Sequence, residues 1–316
     1  MDFPLTDLMD QDACYHKIVG LLHPDGLTCP VCKSPDRLRV HRRHRAPVLD
    51  YRRTACGRVF NAFTGTDLDG THRRPAEIML IVRGFARGVP TARLARELGC
   101  DRKHLLELRR RMQGHATRWL DRNPLGDAVA EADEMYQDAG EKGREHDDPD
   151  DPPRRRANGR RGHGTFANDR PPVAGVVGRE SGEIRLEVVE SSGATELGEV
   201  VDGACLSGAT VDTDGWGGYN RVGGRHDREH VTVDHSGRRS TYAIDADGDG
   251  VREVHCNTME GIWTGLRNFL RPFRGVSKWC EEQYVAMFQW GHNIKAATDE
   301  FLSVMLGAGL HTDLAS

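Results

Sequence analysis

The stretch Ala128-Val-Ala-Glu-Ala-Asp-Glu-Met-Tyr136 decides the fold of the C-terminal half of the chain. Its apolar residues predict a β-strand that carries the carboxylate of Asp133 near its end. Further elements are predicted around it, with strands at 173–177, 183–189, 209–213 and 229–233 and helices at 194–204, 258–270 and 277–306. Strands interspersed with helices predict an α/β domain, which we place at residues 123–306. With the smaller modules before it, the whole chain is expected to be an α+β multidomain protein.

Three acidic residues occupy rigid positions in this pattern. Asp133 lies on the first strand, Asp214 ends a later strand before a glycine-rich loop, and Glu260 lies in the first turn of a helix. Two strands and a helix can converge and hold three carboxylates at one point. Carboxylates suit hard ions such as Mg²⁺ or Mn²⁺, and two such ions about 4 Å apart can promote phosphodiester cleavage. Asp212 is the rival for the second position.

A helix-turn-helix is predicted within residues 71–122. An apolar helix at 75–85 precedes two helices at 92–98 and 102–112. Thr91 and Asp101 are expected to cap these two helices, and Gly99 supplies the turn. The last helix is basic, as a helix that enters a DNA groove should be, although a plain helical hairpin with basic faces is the alternative. The cations expected to contact DNA are Arg93, Arg96, Arg102, Lys103, Arg109, Arg110 and, further along the chain, Arg267.

The charge of the chain is unevenly distributed. The net charge is −4, but residues 37–118 contain 20 Lys and Arg against 7 Asp and Glu, so the remainder is strongly acidic. A basic segment of this strength indicates a protein that binds a polyanion. The acidic remainder argues against a protein that simply coats DNA. A solvated charged surface is the other explanation for the basic segment.

Cys29-Pro-Val-Cys32 indicates a metal knuckle in an N-terminal module of residues 1–70. Two cysteines on a tight turn present their thiolates to one tetrahedral ion. Cys56 belongs to a second knuckle, in which Arg53 occupies the position expected for another cysteine. The candidates for a fourth ligand are His41 and His44. Zinc on Cys29, Cys32 and Cys56 and a ribbon that has lost its zinc both remain open.

Other features favour an intracellular protein. The eight cysteines are scattered, which suits a reduced cytosol better than a secreted disulfide framework. We expect no signal peptide, and no apolar stretch approaches the roughly 18 residues of a membrane helix. Residues 141–172 are polar and almost free of aliphatic side chains, so a mobile insertion is expected there. Residues 307–316 are expected to form a tail.

Several motifs follow one another in a specific order. They are Asp133-Glu-Met-Tyr136, Arg161-Gly-His-Gly164, Thr213-Asp-Gly-Trp-Gly-Gly-Tyr219, His255-Cys-Asn-Thr-Met-Glu-Gly-Ile-Trp263 and Gly275-Val-Ser-Lys278. Together with the N-terminal knuckle and the helix-turn-helix, they resemble the DDE transposases of ISXO-like insertion sequences. The resemblance implies a zinc-ribbon-like module, a helix-turn-helix and a ribonuclease-H-like domain with a mixed central sheet. It further implies binding of terminal inverted repeats, metal-dependent cleavage of double-stranded DNA and strand transfer into target DNA.

The resemblance also assigns roles to individual residues. Asp133 and Asp214 become the first two metal ligands, and the third is Glu260 or Asn257, of which Glu260 is the stronger ligand because an amide carries no net charge. Arg267 stands where the family usually has lysine, and it keeps a charge that can hold a phosphate. A homodimer or higher oligomer on DNA is implied, in the cytoplasm and at the nucleoid. The alternatives are an inactive or domesticated DNA-binding derivative and a structure-specific nuclease.

Overall fold

The computed structural model describes residues 8–142, 144–154, 162–233, 243–245, 248–250, 252–294 and 299–308. The helices are α1 (Gln11–Leu22), α2 (Pro75–Ala86), α3 (Thr91–Leu98), α4 (Arg102–Arg118), α5 (Ala194–Ala204), α6 (Asn257–Leu270), α7 (Lys278–Asn293) and α8 (Asp299–Met305). The strands are β1 (Leu38–Arg45), β2 (Val48–Arg53), β3 (Val59–Phe60), β4 (Val129–Tyr136), β5 (Pro172–Gly178), β6 (Ile184–Val188), β7 (Thr210–Asp214), β8 (Glu229–Val233), β9 (Ala243–Ile244) and β10 (Val254–His255). Along these residues, each helix is too short or too polar to cross a bilayer.

The chain forms two compact units. The first consists of Met1–Trp119 and Ile294–Ser316, and the second of Leu120–Asn293. Helix α8 therefore belongs to the first unit, whereas the sequence prediction placed it in the domain at 123–306. Its apolar side chains are buried there, and α8 contacts α1 and α4. Residues 155–161 of the expected insertion and 309–316 of the expected tail lie outside the described residues.

The first unit contains a small antiparallel sheet in the order β1-β2-β3 and the predicted pair of helices α3 and α4. Gly99 ends α3 in the left-handed region at a φ of 62°, and Asp101 caps α4 by accepting a hydrogen bond of 2.9 Å from the His104 amide. The expectation that Thr91 caps α3 is wrong. Pro90 is the N-cap, and its fixed φ sets the start of the helix, so Thr91 is a buried first residue without a capping bond.

The second unit is built on a mixed sheet in the order β6-β5-β4-β7-β8. Strand β4, predicted from the stretch at 128–136, lies at its centre. It pairs antiparallel with β5 and parallel with β7, and β7 pairs parallel with β8. Every residue of β5 is buried, which agrees with its place between two other strands and under helices on both faces.

Helices cover both faces of this sheet. Helix α5 packs on one face over the small side chains of Ala130 and Ala132, and α6 packs on the other over Met135 and Val173. The outer edge of β6 is closed by side chains of α7. Gln289 accepts a bond of 2.7 Å from the Leu186 amide, and Asn293 accepts one of 2.9 Å from the Ile184 amide and donates one of 3.0 Å to the Ile184 carbonyl. The edge strand is thereby protected from pairing with another chain.

Candidate active site

Asp133 and Asp214 lie beside each other at the carboxyl ends of β4 and β7. These strands are parallel neighbours in which Ala132 pairs with Thr213, so an aspartate follows on each strand. Residues in register on neighbouring strands project to the same face of a sheet. Here it is the face that packs against α6. Both side chains are half-buried, so the structure brings two of the predicted carboxylates together.

The charge around Asp133 is uncompensated. Its pKa is raised to about 7, mainly by burial; a hydrogen bond from Trp263 opposes the rise, and the charges of Glu134 and Asp214 add to it. In the described part of the chain, no lysine, arginine or histidine nitrogen lies within 4.0 Å of these three carboxylates. Close carboxylates without a counter-charge repel each other, so a bound cation would stabilise this arrangement.

Glu134 is a third carboxylate near this pair, on the opposite face of β4, and its charge adds to that of the two aspartates. Burial raises its pKa, and a hydrogen bond from Tyr219 opposes that rise. The hydroxyl of Tyr136 also lies 3.1 Å from its Oε1. Alternation along the motif at 133–136 places Glu134 and Tyr136 together on the face opposite to Asp133.

A histidine and a tryptophan extend this cluster to the surface. The ring of His163 stacks on Trp216 with 3.8 Å between centroids, and its Nδ1 lies 2.5 Å from the Tyr136 hydroxyl. Trp216 donates its backbone N–H to Asp214 at 3.0 Å and its indole N–H to the Ser192 carbonyl at 3.3 Å. The predicted glycine-rich loop after β7 thus holds Asp214 in place.

Glu131 fixes the start of α6 against the sheet, which sequence reasoning missed. Its fully buried carboxylate accepts bonds from the Thr258 amide at 2.9 Å, the Thr258 hydroxyl at 2.7 Å and the Met259 amide at 3.1 Å. These amides belong to the first turn of α6, where an anion also interacts favourably with the helix dipole. The bonds hold in place the turn that carries two other predicted site residues.

Asp212, the rival for the second ligand position, has a structural partner. It is buried, and its Oδ2 lies 2.8 Å from Nη2 of Arg179, which also binds Glu131 at 3.0 Å. Burial raises the pKa of Asp212 to about 6, against the opposing effect of Arg179. This pairing leaves Asp214 as the aspartate of β7 without a cationic partner.

Glu260, Asn257 and Arg267 are exposed on α6. Glu260 stands one helical turn before Trp263, whose indole binds Asp133. The ligand atoms of Asp133, Asp214 and Glu260 do not all lie within 4.8 Å of one another, as the described residues show. The structure therefore joins the two aspartates closely and places the third candidates on the adjoining helix.

The donor set at Asp133 and Asp214 fits magnesium or manganese. It consists of carboxylate oxygens, the ligands that hard divalent cations prefer. Oε2 of Glu134, on the opposite face of β4, is buried and has no hydrogen-bond partner among the described residues, and its charge adds to the negative charge near the pair. Asp133 and Asp214 are the residues that would hold the metal.

A second acidic group contains Asp245, Asp249 and Glu253, whose ligand atoms lie within 4.8 Å of one another. Oδ1 and Oδ2 of Asp245 accept bonds from the backbone amides of Gly248 at 2.6 Å and Gly250 at 2.9 Å. Such bonds are typical of a surface turn closed by an aspartate.

The three cysteines of the first unit form a cluster. The Sγ atom of Cys56 lies 3.7 Å from that of Cys29 and 3.8 Å from that of Cys32. Tetrahedral zinc with Zn–S bonds of about 2.3 Å requires thiolates about 3.8 Å apart. The cluster therefore offers three corners of a zinc site.

Arg53 occupies the region of the fourth corner. Its Nε donates to Cys32 Sγ at 3.4 Å and its Nη2 to Ser34 Oγ at 3.0 Å. A guanidinium cannot coordinate zinc, but it stabilises a thiolate, and the Arg53 bond is the main cause that lowers the pKa of Cys32 to about 6. Among the described residues, neither His41 nor His44 joins the three cysteines, and both are exposed on β1.

Most of the predicted DNA-contacting cations are exposed. Arg93 is paired with Glu97 at 2.8 Å on α3. The other exposed ones are Arg96, Arg102, Lys103, Arg110 and Arg267. Outward-facing cations on α3 and α4 are available to a polyanion.

Arg109 is an exception, because it is fully buried. It donates a hydrogen bond to the Val89 carbonyl, and its guanidinium lies 4.2 Å from the centroid of the Phe85 ring. It holds α4 against the segment between α2 and α3 and cannot contact DNA in this fold. Helical spacing was the available signal, since Leu105 and Met112 lie on the same buried face.

Comparison with known proteins gives a family for this site. Residues 128–293, which are more than half of the chain, match the ISXO2-like transposase domain. The chain belongs to this family. The matched range starts at the strand that carries Asp133 and ends at the last residue of α7, so it includes Asp214, Glu260 and Arg267 of the transposase domain.

A relative and two solved structures are also similar. A protein from Halobacterium salinarum, described as an uncharacterized protein in transposable element ISH50, is 30% identical over 289 residues, which are 90% of this chain and 92% of the relative. A chain of the simian T-cell lymphotropic virus intasome in complex with PP2A regulatory subunit B56 gamma is 12% identical, with a TM-score of 0.30 over 54% of this chain. The matched part spans 50% of that intasome chain. The HTLV-2 integrase catalytic core in complex with magnesium (trimeric form) is 10% identical, with a TM-score of 0.28 over 53% of this chain and 86% of that one. Likeness at these TM-scores is too weak to bear on function.

Proposed function

We propose that the chain is the transposase of an insertion sequence, which binds terminal inverted repeats and catalyses metal-dependent DNA strand cleavage and strand transfer. The observation that carries the proposal is the pair of aspartates on β4 and β7, side by side and without a cationic partner, in a chain of a transposase family. The strand order, with β4 between antiparallel β5 and parallel β7, supports a ribonuclease-H-like assignment for this domain.

The chain's own contribution is to hold oxygen ligands in fixed positions. Trp263 donates to Asp133 Oδ2 at 2.8 Å, and the backbone of Trp216 holds Asp214 Oδ1 at 3.0 Å. Two bound Mg²⁺ or Mn²⁺ ions supply charge neutralisation and a more reactive oxygen nucleophile in phosphodiester chemistry. The aspartates keep their place because β4 and β7 lie in the buried centre of the sheet.

Glu260 is our choice for the third ligand, ahead of Asn257. Both lie at the start of α6, and the cap formed by Glu131 fixes that turn on β4. A carboxylate adds negative charge to the site, whereas an amide does not. Arg267 lies seven residues further along the same helix, almost two turns, and would hold a DNA phosphate.

The first unit supplies DNA recognition in this proposal. The exposed cations of α3 and α4 would contact the terminal repeat, and a ribbon with Cys29, Cys32 and Cys56 would bind zinc through three thiolates.

Joining two transposon ends requires two active sites, which favours a homodimer or higher oligomer on double-stranded DNA. The protein would act in the cytoplasm, at the nucleoid. The module at 1–70, the helix-turn-helix at 71–122 and the catalytic domain from 123 onward remain our division of the chain by function.

The test is a cleavage and strand-transfer assay on a labelled duplex with the element's own end, in Mg²⁺ or Mn²⁺. Asp133→Asn keeps the shape of the side chain and removes its charge, so it should abolish nicking and joining. Asp138→Asn is the matched control, because Asp138 is exposed and pairs only with Arg170 at 3.3 Å among the contacts described. Specific binding without cleavage by the wild-type protein would support a non-catalytic DNA-binding derivative instead.

A further inference from the structure

We propose that Trp279 and the cations around it form a separate DNA-contact surface, which binds an unpaired nucleotide of a DNA strand. This surface, the Trp279 platform, consists of Lys142, Arg144, Phe166, Arg274 and Trp279. It belongs to the second unit, whereas the cations of the helix-turn-helix belong to the first. The inference rests on the proposed function only in taking DNA as the substrate.

Trp279 is the exposed aromatic centre of the platform. Its side chain is 46% exposed in the first turn of α7. The Phe166 ring meets it edge to face at 4.9 Å, and the guanidinium of Arg144 lies 4.3 Å from its ring centroid. The Lys278 ammonium also lies 5.3 Å from that centroid. An indole that is half in solvent and held by these three neighbours is suited to stack on a further flat group.

A buried ion network holds the platform rigid. The Lys278 ammonium lies 3.0 Å from Asp169 and 3.2 Å from Glu141, and Arg154 pairs with both carboxylates. The side chains of Lys278, Asp169 and Glu141 are each at most 5% exposed. Burial works against ionisation of these acids, but the bonds from the two cations leave the pKa of both carboxyls lowered. A preformed support of this kind reduces the entropy cost of binding.

Two further hydrogen bonds join the start of α7 to the segments that precede it in sequence. The Lys278 amide donates to the Gly140 carbonyl at 2.9 Å, and Lys278 Nζ donates to the Phe166 carbonyl at 3.1 Å. Gly140, just before the expected insertion at 141–172, and Phe166, within it, are therefore both tied to the first residue of α7. Residues on both sides of that junction present their side chains to one surface.

The cations of the platform lack acidic partners. Lys142 Nζ donates to the Arg274 carbonyl at 3.1 Å, so the two basic residues are neighbours. Lys142, Arg144 and Arg274 are exposed, and no carboxylate lies within 4.0 Å of them in the described ranges. Asp151, one of the acidic residues that follow Arg144, is paired with His146 at 3.3 Å and not with these cations. Clustered cations without counter-charges favour a polyanion.

An unpaired nucleotide fits this combination better than a duplex does. A base presents its face to an indole only when it is outside the double helix, while the adjacent phosphates remain available to cations. The platform also begins shortly after β4, the strand that carries Asp133, since Lys142 follows Asp133 by nine residues. A strand freed near the cleavage site is therefore the occupant to which the proposal commits.

The experiment compares the full-length wild-type protein with variants by fluorescence anisotropy at fixed salt. The probes are a labelled blunt duplex and the same duplex with a short single-stranded extension, both without added Mg²⁺ or Mn²⁺ so that no cleavage occurs. Trp279→Ala should weaken binding of the extended DNA about tenfold and leave the blunt duplex nearly unchanged. Trp279→Phe should retain most of the affinity, which separates stacking from misfolding. The double variant Lys142→Ala, Arg274→Ala should weaken both DNAs and reduce the salt dependence.

Leu206→Ala is the matched control, because Leu206 is 43% exposed in the second unit and lies outside the platform; it should bind both probes as the wild type does. Unchanged affinity of Trp279→Ala for the extended DNA, or an equal loss on both probes, would overturn the proposal. The binding assay does not depend on catalysis. A chain that shows the Trp279 effect but never cleaves DNA would contradict the proposed function alone, and an active enzyme without the effect would contradict the platform alone.

Discussion

The indole Nε1 of Trp263 donates a hydrogen bond of 2.8 Å to Oδ2 of Asp133. It joins a buried aromatic residue of α6 to the carboxylate of β4 across the helix–sheet interface. Gly175 permits this close packing, because a Cβ atom there would lie 2.7 Å from the indole ring. One side chain thus both packs in the core and orients the candidate metal ligand.

Trp263→Phe should reduce strand cleavage about tenfold or more at neutral pH, because it removes a hydrogen bond to an ionised carboxylate. The bond lowers the pKa of Asp133, which burial raises to about 7. Its loss therefore raises that pKa further and leaves less of the ionised ligand at pH 7. The deficit should shrink as the pH rises. Cleavage rates measured against pH at fixed Mg²⁺ check this.

Ile262→Val is the control for that variant, since Ile262 is buried on the same helix and loses only packing volume. It should leave the pH profile unchanged. A loss in Trp263→Phe that is equal at every pH would mean that the indole acts through packing and not through Asp133.

Glu131→Ala should lower the free energy of unfolding by about 3–5 kcal/mol, because it leaves a partly buried arginine, Arg179, without one of its carboxylates. It also removes the cap from the first turn of α6. Urea unfolding followed by circular dichroism measures the loss. Glu260→Ala changes an exposed residue of the same helix and should cost less than about 0.5 kcal/mol while it impairs cleavage. Equal stability losses in the two variants would contradict this division of roles.

The sequence was sufficient to predict the five strands of the central sheet and the positions of Asp133 and Asp214 on them, because strand and turn signals are local. It could not reveal the role of Glu131, whose partner Thr258 lies 127 positions away. The contact between a strand and a helix that far apart is set by the packing of the whole domain. Lys278 shows the same limit, since its carboxylate partners become neighbours only when the insertion folds onto α7.

Arg53→Met should make Cys32 less reactive in metal-free protein. The guanidinium holds the pKa of Cys32 near 6, so the thiol is mostly thiolate at pH 7. Without it the pKa should move toward the ordinary value of about 8.5, and alkylation by iodoacetamide at pH 7 should slow by about tenfold. The midpoint of the rate against pH should rise in the same way. Arg52→Met, an exposed neighbour on β2, is the control, and an equal effect there would point to general electrostatics.

Arg53→Cys should raise the zinc affinity of the same cluster, because it adds a thiolate where the guanidinium now binds Cys32. Four thiolates complete the tetrahedral set that structural zinc prefers. Competition with a chromogenic chelator measures the change in both proteins. Arg53→Ser is the control without a thiol. Unaltered zinc affinity in Arg53→Cys would show that position 53 does not face the metal.

Glu281 gives the chain a stability that depends on pH. Its carboxyl is fully buried in α7, and neither oxygen has a hydrogen-bond partner among the described residues. Burial raises its pKa well above the ordinary value, so the folded state favours the protonated acid. The stability that the protonated acid contributes is complete below the unfolded-state pKa of about 4.3. This stability is lost as the pH rises toward the folded-state pKa.

Glu281→Leu should therefore stabilise the protein more at pH 8 than at pH 4, by about 1–3 kcal/mol at the higher pH, where an unpaired buried acid is most costly. Thermal unfolding across this pH range measures the difference. Glu281→Gln keeps the size of the side chain and cannot ionise, so it should remove the pH dependence even if packing around leucine differs. Glu282→Gln is the control, because Glu282 is exposed beside it. If wild type and Glu281→Gln lose stability in parallel as the pH rises, the carboxyl at 281 does not titrate with folding.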